Sequence, residues 1–354
     1  MWTLLLLSAC AAKVSFDSPL PPDGGLPYEP ATGDELARYE AAAAYSEAHR
    51  GRAFVVVKGD AIVYQTGQNG HALDAPHHLF SGTKTFSCLL MAAAEADGHL
   101  QPDDRVRKVL PELPKEARRL TVDQLLHLTS GVGHDFLRLS VDGMRARPRV
   151  DDKAAIALSQ PWRHDPGERF AYGATHFFLF GEVIERSVGL DPVDYLQQRV
   201  FEPIGFRTAG WIRDPSGTPA LSYGAFTTAA EWAEIGVLLR DDGMFRGQRV
   251  LPEGLFAGCA QGSEANPAYG RAAWLNRDVD RDNVDLVAVR RLEPTGPIVS
   301  NDAPADLLVA AGHDDQRLYV IPSLDLVIAR LGDGGWSFTD RELLAPFLAS
   351  PTMP

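Results

Sequence analysis

Strand-forming segments lie near both ends of this chain, and a mostly helical stretch separates them. Residues 53–64 are rich in β-branched and apolar side chains around the turn Lys58-Gly59-Asp60, which predicts a β-hairpin. Residues 316–321 and 325–331 are two further runs of strand formers joined by a proline-containing turn. Because such distant strands share a sheet only if the chain folds back on itself, we predict an α+β fold. It comprises an antiparallel sheet built from both chain ends, flanked by helices, with an inserted mostly helical subdomain.

Segments without helix breakers make up much of the remaining chain and predict helices. They cover residues 34–49, 83–96, 122–128, 177–187, 193–201, 228–241 and 340–348. A chain of 354 residues is long enough for one large domain or two modest ones with a buried core. We predict a single domain over residues 33–350, in which the helical subdomain spans about residues 100–260.

The N-terminal segment predicts export and a lipid anchor. Residues 1–9 form an apolar stretch that ends in small side chains, and Leu7-Ser8-Ala9-Cys10 resembles the lipobox at which bacterial lipoproteins are cleaved and acylated. Residues 10–32 are rich in Pro and Gly, which is typical of a tether. We therefore expect lipidation at Cys10 and a protein anchored in the cell envelope, on the periplasmic side, or secreted. No Lys or Arg precedes the apolar stretch, and an apolar start from a misassigned initiation codon is the alternative.

Composition and charge argue against two classes of partner. The net charge of −13 repels a phosphate backbone, so we expect no nucleic acid to bind. No apolar run reaches the roughly 18 residues that a membrane-spanning helix needs. The three cysteines do not form a disulfide framework. We expect Cys88 to be a buried thiol in the predicted helix rather than the partner of Cys259.

Ser81 and Lys84 form the first candidate catalytic pair. They are three residues apart at the start of a predicted helix, so both side chains lie on one face. A serine hydroxyl becomes a good nucleophile only when a neighbouring group takes its proton. A partly desolvated lysine has a lowered pKa and can take that proton, and a helix start favours the negative charge that develops. By itself, however, this spacing is common by chance and also occurs at solvated helix starts.

Four further motifs follow in order along the chain. They are Leu125-Leu126-His127-Leu128-Thr129-Ser130-Gly131, Pro166-Gly167 through Tyr172, Tyr269-Gly270 with Trp274-Leu275, and Gly312-His313 with Gln316 and the hairpin after it. Together with Ser81-Gly82-Thr83-Lys84, they resemble the S-x-x-K, L-L-x-x-T-S-G, Y-x-N, Y-G-x-x-W and H-x-G motifs of the serine β-lactamase-related family. This family comprises class C β-lactamases, DD-peptidases and related esterases and amidases. The resemblance runs from about residue 51 to residue 332 and covers most of the chain.

The resemblance implies a role for each matched residue. Ser81 would be acylated by the substrate with Lys84 beside it, and Tyr172 would accept the Ser81 proton and later activate water. Because a phenol has an ordinary pKa near 10, this role needs the positive charge of Lys84 to lower that pKa. The oxyanion would lie between the backbone N–H groups of Ser81 and Gln316. The resemblance implies no metal and no organic cofactor.

Two positions depart from the family motifs. Ala174 stands at the amide position of Y-x-N, which in β-lactamases and DD-peptidases helps to hold the substrate's side-chain amide, so its presence favours an esterase or small-amide hydrolase. Asp315 stands at the glycine of H-x-G, where a carboxylate would disfavour anionic substrates unless a bulge turns it outward. His313 could steer or protonate the substrate, or could be a satisfied histidine at a strand end. His176 could line the pocket.

The sequence therefore predicts a monomeric serine hydrolase that cleaves a small ester or amide through an acyl-enzyme on Ser81. β-Lactamase or DD-peptidase activity is one alternative. The other is a non-catalytic envelope protein that keeps the fold as a binding module. The intact set of Ser81, Lys84 and Tyr172 favours an enzyme, because a binding module has no chemical need for all three.

Overall fold

The computed structural model describes residues 25–140, 152–208, 210–281, 293–335 and 337–348. The predicted signal, the predicted lipidation site Cys10 and most of the predicted tether lie outside these residues. The helices are α1 (Gly33–Ala48), α2 (Phe86–Ala96), α3 (Val122–Leu126), α4 (Phe136–Leu139), α5 (Lys153–Leu158), α6 (Thr175–Val188), α7 (Pro192–Leu196), α8 (Glu202–Ile204), α9 (Ala229–Arg240), α10 (Leu255–Cys259) and α11 (Asp340–Leu348). The strands are β1 (Gly51–Lys58), β2 (Ala61–Gly67), β3 (His77–His78), β4 (Gly210–Trp211), β5 (Ala225–Thr227), β6 (Met244–Phe245), β7 (Gln248–Arg249), β8 (Trp274–Leu275), β9 (Leu308–Gly312), β10 (Gln316–Ile321) and β11 (Leu326–Gly332).

Both chain ends contribute to one six-stranded sheet, whose order is β2-β1-β11-β10-β9-β8. The N-terminal strand β1 pairs antiparallel with the C-terminal strand β11, with Val55 opposite Ala329. The predicted hairpins β1–β2 and β10–β11 are both present. Strands β10 and β11 are buried along their whole length, including the polar side chains of Gln316, Arg317 and Arg330. The α+β fold predicted from the order of the segments is confirmed.

Helices cover both faces of this sheet. Helix α9 packs so closely on one face that a Cβ on Gly236 would lie 2.4 Å from Cγ1 of Val327, so this crossing requires glycine. Leu318 of β10 also faces α9, because its Cδ1 would lie 3.1 Å from the same Cβ. Successive side chains along a strand point to opposite faces, and the next one, Tyr319, donates a hydrogen bond to Asp340 of α11 on the other face. Helix α9 therefore belongs to the layers around the sheet, although its sequence falls inside the segment predicted as the helical subdomain.

The segment before α1 is part of the folded domain. The backbone groups of Pro27, Glu29 and Ala31 are hydrogen-bonded to Ile62 and Val63 of β2. This pairing covers the outer edge of β2, which would otherwise expose unpaired backbone groups. The predicted tether up to residue 32 is therefore too long, because the chain is already fixed to the sheet at Pro27. No helix in the described part of the chain is long and apolar enough to cross a membrane.

A disulfide bond joins Cys88 of α2 to Cys259 at the end of α10, with the two Cα atoms 5.9 Å apart. The expectation of a free buried thiol at Cys88 is therefore wrong. Both residues are buried, and 171 positions separate them in sequence. Only the tertiary packing of α10 against α2 brings them together, so their sequence positions gave no signal of the bond.

Candidate active site

Ser81 and Lys84 lie on a 3-10 helix, Phe80–Thr85, that leads directly into α2. The α-helix predicted from residue 83 therefore begins three residues later, at Phe86. A 3-10 helix has three residues per turn, so side chains three positions apart lie one above the other. As a result, Lys84 Nζ lies 2.9 Å from Ser81 Oγ. Ser81 is half-buried, whereas Lys84 is only 4% exposed.

The backbone around Ser81 is tightly constrained. Phe80 has a φ of +48°, in the left-handed region that residues with a Cβ rarely adopt. On the other side of Ser81, Gly82 packs against Trp232, and a Cβ at this position would lie 2.7 Å from the indole ring. Strained backbone of this kind persists only where surrounding contacts hold it, and it is concentrated at functional sites. Here it fixes the direction of the Ser81 side chain.

Lys84 is held in an environment that disfavours its charge. Besides Ser81, its ammonium nitrogen bonds to the backbone carbonyl oxygen of Ser222 at 2.7 Å. In the described ranges no carboxylate forms an ion pair with it. Burial lowers the pKa of Lys84 to about 7. Near neutral pH a large fraction of this side chain is therefore a neutral amine, which can accept a proton.

Tyr172 is hydrogen-bonded to Ser81 through its hydroxyl group. Its ring stacks on Trp274 with the centroids 5.9 Å apart, and Lys84 Nζ lies 4.9 Å from the ring centroid. Burial raises the pKa of Tyr172 to about 12, and the hydrogen bond with Ser81 opposes this only in part. The expectation that Lys84 lowers the pKa of this phenol is therefore wrong. Tyr172 keeps its proton at neutral pH, and Lys84 is the group that titrates there.

The Gly312-His313 motif forms a tight turn between β9 and β10, beside the 3-10 helix. Gly312 is so close to this helix that a Cβ would lie 2.1 Å from the backbone carbonyl oxygen of Leu79. The imidazole of His313 contacts the ring of Phe80, with the centroids 5.5 Å apart. The end of β9 is therefore packed directly against the residues that precede Ser81.

Gln316 is the residue that fixes this turn. It is fully buried, and its Nε2 donates to the carbonyl oxygens of His313 at 3.1 Å and of Gly332 at 2.6 Å. Its Oε1 accepts from the backbone N–H of Gly332 at 2.9 Å. The side chain of Gln316 is thus committed to the protein interior. The use of its backbone N–H as an oxyanion donor stays a prediction. The contacts of this motif with the segment before Ser81 are made by Gly312 and His313.

Asp315 is the last residue of the 3-10 turn His313–Asp315 between β9 and β10. It and Asp314 have φ values of +62° and +59°, and its carboxylate accepts the backbone N–H of Gly335 at 3.1 Å. Its carbonyl oxygen accepts a 2.6 Å hydrogen bond from Arg330 of β11. This carboxylate is therefore held by the segment that follows β11, and the effect of Asp315 on anionic substrates stays a prediction. The half-exposed His313 has its Nε2 3.3 Å from a carboxylate oxygen of Asp314.

The described residues thus bring together a serine hydroxyl, a buried amine and a protonated phenol. This set can transfer a proton away from a nucleophile and towards a leaving group. Within the same ranges, no group of three or more His, Cys, Asp or Glu side chains is placed to hold a metal ion.

A model of the Beta-lactamase protein family matches residues 36–322 of the chain. The chain belongs to the β-lactamase family. Monacolin J acid methylbutanoyltransferase from Aspergillus terreus is 29% identical in an alignment of 154 residues that covers 38% of this chain and 37% of that protein. The chain thus aligns with little more than a third of this curated relative's length.

Solved structures with low sequence identity share the fold. A putative 6-aminohexanoate-dimer hydrolase from Bacillus anthracis superimposes with a TM-score of 0.69 at 17% identity, over 91% of this chain and 84% of that one. EstCE1, described as a hydrolase with promiscuous acyltransferase activity, gives a TM-score of 0.65 at 16% identity, over 89% and 97%. This chain is therefore a member of the β-lactamase family that shares the fold of these solved structures.

In this β-lactamase-family protein, two candidate residues near Tyr172 have no free polar group that could bind a substrate. Ala174 is buried at the start of α6 and carries no amide. His176 is 1% exposed, and both its ring nitrogens are bonded, Nδ1 to Ser130 Oγ at 3.0 Å and Nε2 to the Ala171 carbonyl oxygen at 2.9 Å. Burial lowers its pKa to about 3, so it is neutral. His176 is a structural residue and not the pocket-lining one that we considered.

His134, which the motif analysis missed, is the histidine beside Tyr172. Its ring lies over Gly173, where a Cβ would come within 2.9 Å of His134 Cγ. Its Nδ1 lies 3.1 Å from Thr175 Oγ1. Burial, together with the positive charge of Lys84, lowers the pKa of His134 to about 4. The available signal was its position three residues after Gly131, the end of the Thr129-Ser130-Gly131 motif, but that motif does not specify which following side chain turns towards the site.

Proposed function

We propose that this protein is a serine hydrolase that cleaves an ester or small amide through an acyl-enzyme on Ser81. The observation that carries the proposal is the 2.9 Å contact between Ser81 Oγ and the buried side chain of Lys84. Burial brings the pKa of Lys84 to about 7, which is near the optimum for a general base at neutral pH. A binding module has no use for a desolvated lysine beside a serine.

In the first half-reaction, neutral Lys84 accepts the proton of Ser81 while Oγ attacks the carbonyl carbon of the substrate. The tetrahedral intermediate then collapses, and the bond to the leaving group breaks. Tyr172 is protonated and hydrogen-bonded to Ser81, so its hydroxyl gives a proton to the departing oxygen or nitrogen. The ammonium of Lys84 restores the proton of Tyr172. This assigns the base to Lys84 and the proton donor to Tyr172, in contrast to the roles implied by the family motifs.

In the second half-reaction, water attacks the acyl-enzyme. Neutral Lys84 again accepts a proton, now from the water, and the ester bond to Ser81 breaks. The proton returns to Ser81 Oγ, and the carboxylic acid leaves. The backbone N–H of Ser81 lies in the first turn of the 3-10 helix, where N–H groups lack helical acceptors, so it is suited to bind the developing oxyanion. The second donor would come from the turn after β9.

Acyl transfer to an alcohol is the second candidate function. An alcohol can replace water in the second half-reaction without any change in the protein groups. The names of two similar proteins support it, one a methylbutanoyltransferase and the other a hydrolase with promiscuous acyltransferase activity. β-Lactamase and DD-peptidase activities are less well supported, because Ala174 offers no amide to a substrate side chain.

The disulfide supports the predicted export. Disulfide bonds form and persist mainly in oxidising compartments such as the periplasm, and the Cys88–Cys259 bond closes within the core. We therefore propose that the enzyme acts in the cell envelope or outside the cell, with Cys10 as its lipid anchor. Fractionation of the wild type and Cys10→Ala tests this, because loss of the anchor should move the protein to the soluble fraction. Identical fractionation of the two would contradict the anchor.

A fluorophosphonate probe tests the catalytic proposal. We expect covalent labelling of the wild type and hydrolysis of p-nitrophenyl butyrate, with both lost in Ser81→Ala. Ser216→Ala is the matched control, because Ser216 is exposed in a turn and should keep both activities. Added alcohol acceptors would reveal transfer through the formation of a new ester. A wild type that is neither labelled nor active would favour the binding-module alternative.

A further inference from the structure

His134 is a polar side chain at the site to which the mechanism above gives no role. We propose that His134 is a substrate-binding residue that donates a hydrogen bond from Nε2 to an oxygen on the acyl chain of the substrate. The inference rests on the proposed hydrolase function and adds a substrate class, namely acyl groups that carry a second carbonyl beyond the one that is cleaved.

The position of His134 is fixed by close packing. Its ring lies over Gly173, the residue after Tyr172, and no larger residue could occupy that position. Lys84 Nζ lies 4.9 Å from the ring centroid of Tyr172, and His134 packs on the next residue, Gly173, so both side chains lie beside Tyr172. Because Gly173 and Ala174 carry no polar side chain, His134 supplies the hydrogen-bonding group at this position.

The tautomer of His134 follows from its contact with Thr175. Thr175 is fully buried, and its hydroxyl must donate its proton to an acceptor to avoid the cost of burial. Across the described residues, His134 Nδ1 is the hydrogen-bond partner found for this hydroxyl. The hydroxyl therefore donates to Nδ1, and the ring proton is on Nε2. Because burial and Lys84 keep the imidazole neutral, Nε2 presents a single N–H that is suited to a carbonyl oxygen.

The residues after His134 indicate that the remainder of the acyl group is apolar. Phe136 is 54% exposed and Leu137 is 52% exposed, although large apolar side chains are usually buried. The ring of Phe136 contacts that of His134, with the centroids 6.2 Å apart. An acyl chain that reaches Nε2 of His134 thus passes an apolar surface with one hydrogen-bond donor beside it.

Paired substrates test this inference. The p-nitrophenyl esters of 3-oxobutanoate, 4-oxopentanoate and 5-oxohexanoate would each be compared with the analogue in which a methyl branch replaces the oxo group. Intrinsic reactivity cancels when each ester's kcat/KM in a variant is divided by its value in the wild type. His134→Phe keeps a ring but removes the donor. We expect a loss of about tenfold for at least one oxo ester and of less than about twofold for its methyl analogue.

Two further variants make the test decisive. His134→Gln keeps an N–H donor and should retain part of the preference for the oxo ester. His99→Phe is the control, because His99 is exposed beyond the end of α2 and should show neither loss. If His134→Phe does not fold, as judged by circular dichroism, His134→Leu replaces it. Equal losses for oxo and methyl esters, or no loss for any pair, would overturn the inference. Fluorophosphonate labelling of the same samples reports on Ser81 separately, so failure of the proposed hydrolase function can be distinguished from failure of the proposal for His134.

Discussion

The side-chain nitrogen of Lys84 lies 2.7 Å from the backbone carbonyl oxygen of Ser222. A carbonyl oxygen can only accept, so this contact uses an N–H of Lys84 in either charge state. In the neutral amine, the lone pair remains free to accept the proton of Ser81, which is 2.9 Å away. Ser222 thus orients the amine without adding a negative charge that would raise the pKa of Lys84.

The first prediction is a rise of activity with pH. Only neutral Lys84 accepts the Ser81 proton, and burial lowers its pKa to about 7. We therefore expect kcat/KM for p-nitrophenyl butyrate to increase through about pH 7 and then level off. On the plateau above about pH 7, Lys84→Met should lose at least about 100-fold in kcat relative to the wild type. A flat pH profile for the wild type would assign the base to a group other than Lys84.

The second prediction concerns stability, because the same burial is costly to the fold. The pKa of Lys84 is about 7 in the folded state and 10.5 for a lysine that is not buried, which is the value expected in the unfolded chain. Between these values the unfolded chain binds more protons, so the stability of the wild type should rise with pH. Below about pH 7 Lys84 is protonated, so the folded protein buries a full positive charge at a cost in stability. Lys84→Met lacks this charge and should therefore melt at a higher temperature than the wild type.

Thermal melts of both proteins at several pH values test this. The stability advantage of Lys84→Met should shrink as the pH rises from about 7 towards 10. Because the melts also establish that the variant folds, a loss of activity can be attributed to the missing amine. A variant that is less stable than the wild type at acidic pH would show that packing around the lysine stem outweighs the charge.

The sequence predicted features that depend on neighbouring residues. The hairpins at both ends follow from β-branched runs around short turns, and the contact between Ser81 and Lys84 follows from their spacing. The choice of a 3-10 rather than an α-helix at Ser81 did not follow, because this segment is packed against distant residues, as Gly82 is against Trp232. Local patterns therefore located the catalytic pair but not the geometry that aligns it.

The features that were missed depend on residues far apart in the chain. The family motifs imply that Tyr172 is a base, a role that requires Lys84 to lower the pKa of the phenol, but burial by surrounding residues raises that pKa instead. His134 belongs to the site only because its ring packs over Gly173, 39 positions later. Asp315 is directed by contacts with Arg330 and Gly335 of a later segment. Burial and long-range hydrogen bonds are not visible in a motif.

The third prediction separates Tyr172 from a purely structural residue. Tyr172→Phe removes the hydroxyl and keeps the ring that stacks on Trp274. Loss of the proton donor should lower kcat by roughly 10²–10⁴-fold with little change in the melting temperature. In the double variant with Lys84→Met, the loss should be little greater than in either single variant, since the two groups act as one unit. Near-normal kcat in Tyr172→Phe would leave proton transfer to Lys84 alone or to His313.

The fourth prediction is a strong preference for simple esters over β-lactams. Ala174 provides no amide for a β-lactam side chain, so p-nitrophenyl butyrate should be hydrolysed with a much higher kcat/KM than nitrocefin. Ala174→Asn should raise nitrocefin hydrolysis relative to ester hydrolysis. Because Ala174 is buried at the start of α6, the fold of this variant must first be verified by circular dichroism. An equal or higher wild-type kcat/KM for nitrocefin would contradict this argument.

The last prediction concerns the Cys88–Cys259 disulfide. The bond closes a separation of 171 residues and ties α2, which continues from the catalytic 3-10 helix, to α10. Its removal increases the freedom of the unfolded chain, so Cys259→Ala should lower the free energy of unfolding by about 2–5 kcal/mol. The melting temperature of the wild type should fall towards that of the variant when dithiothreitol is added, whereas the variant should not respond.

Well below its melting temperature, Cys259→Ala should keep a kcat close to that of the wild type, because hydrogen bonds and packing that do not involve the disulfide position Ser81 and Lys84. A wild type that is insensitive to reductant and equal in stability to the variant would show that the bond does not form in solution.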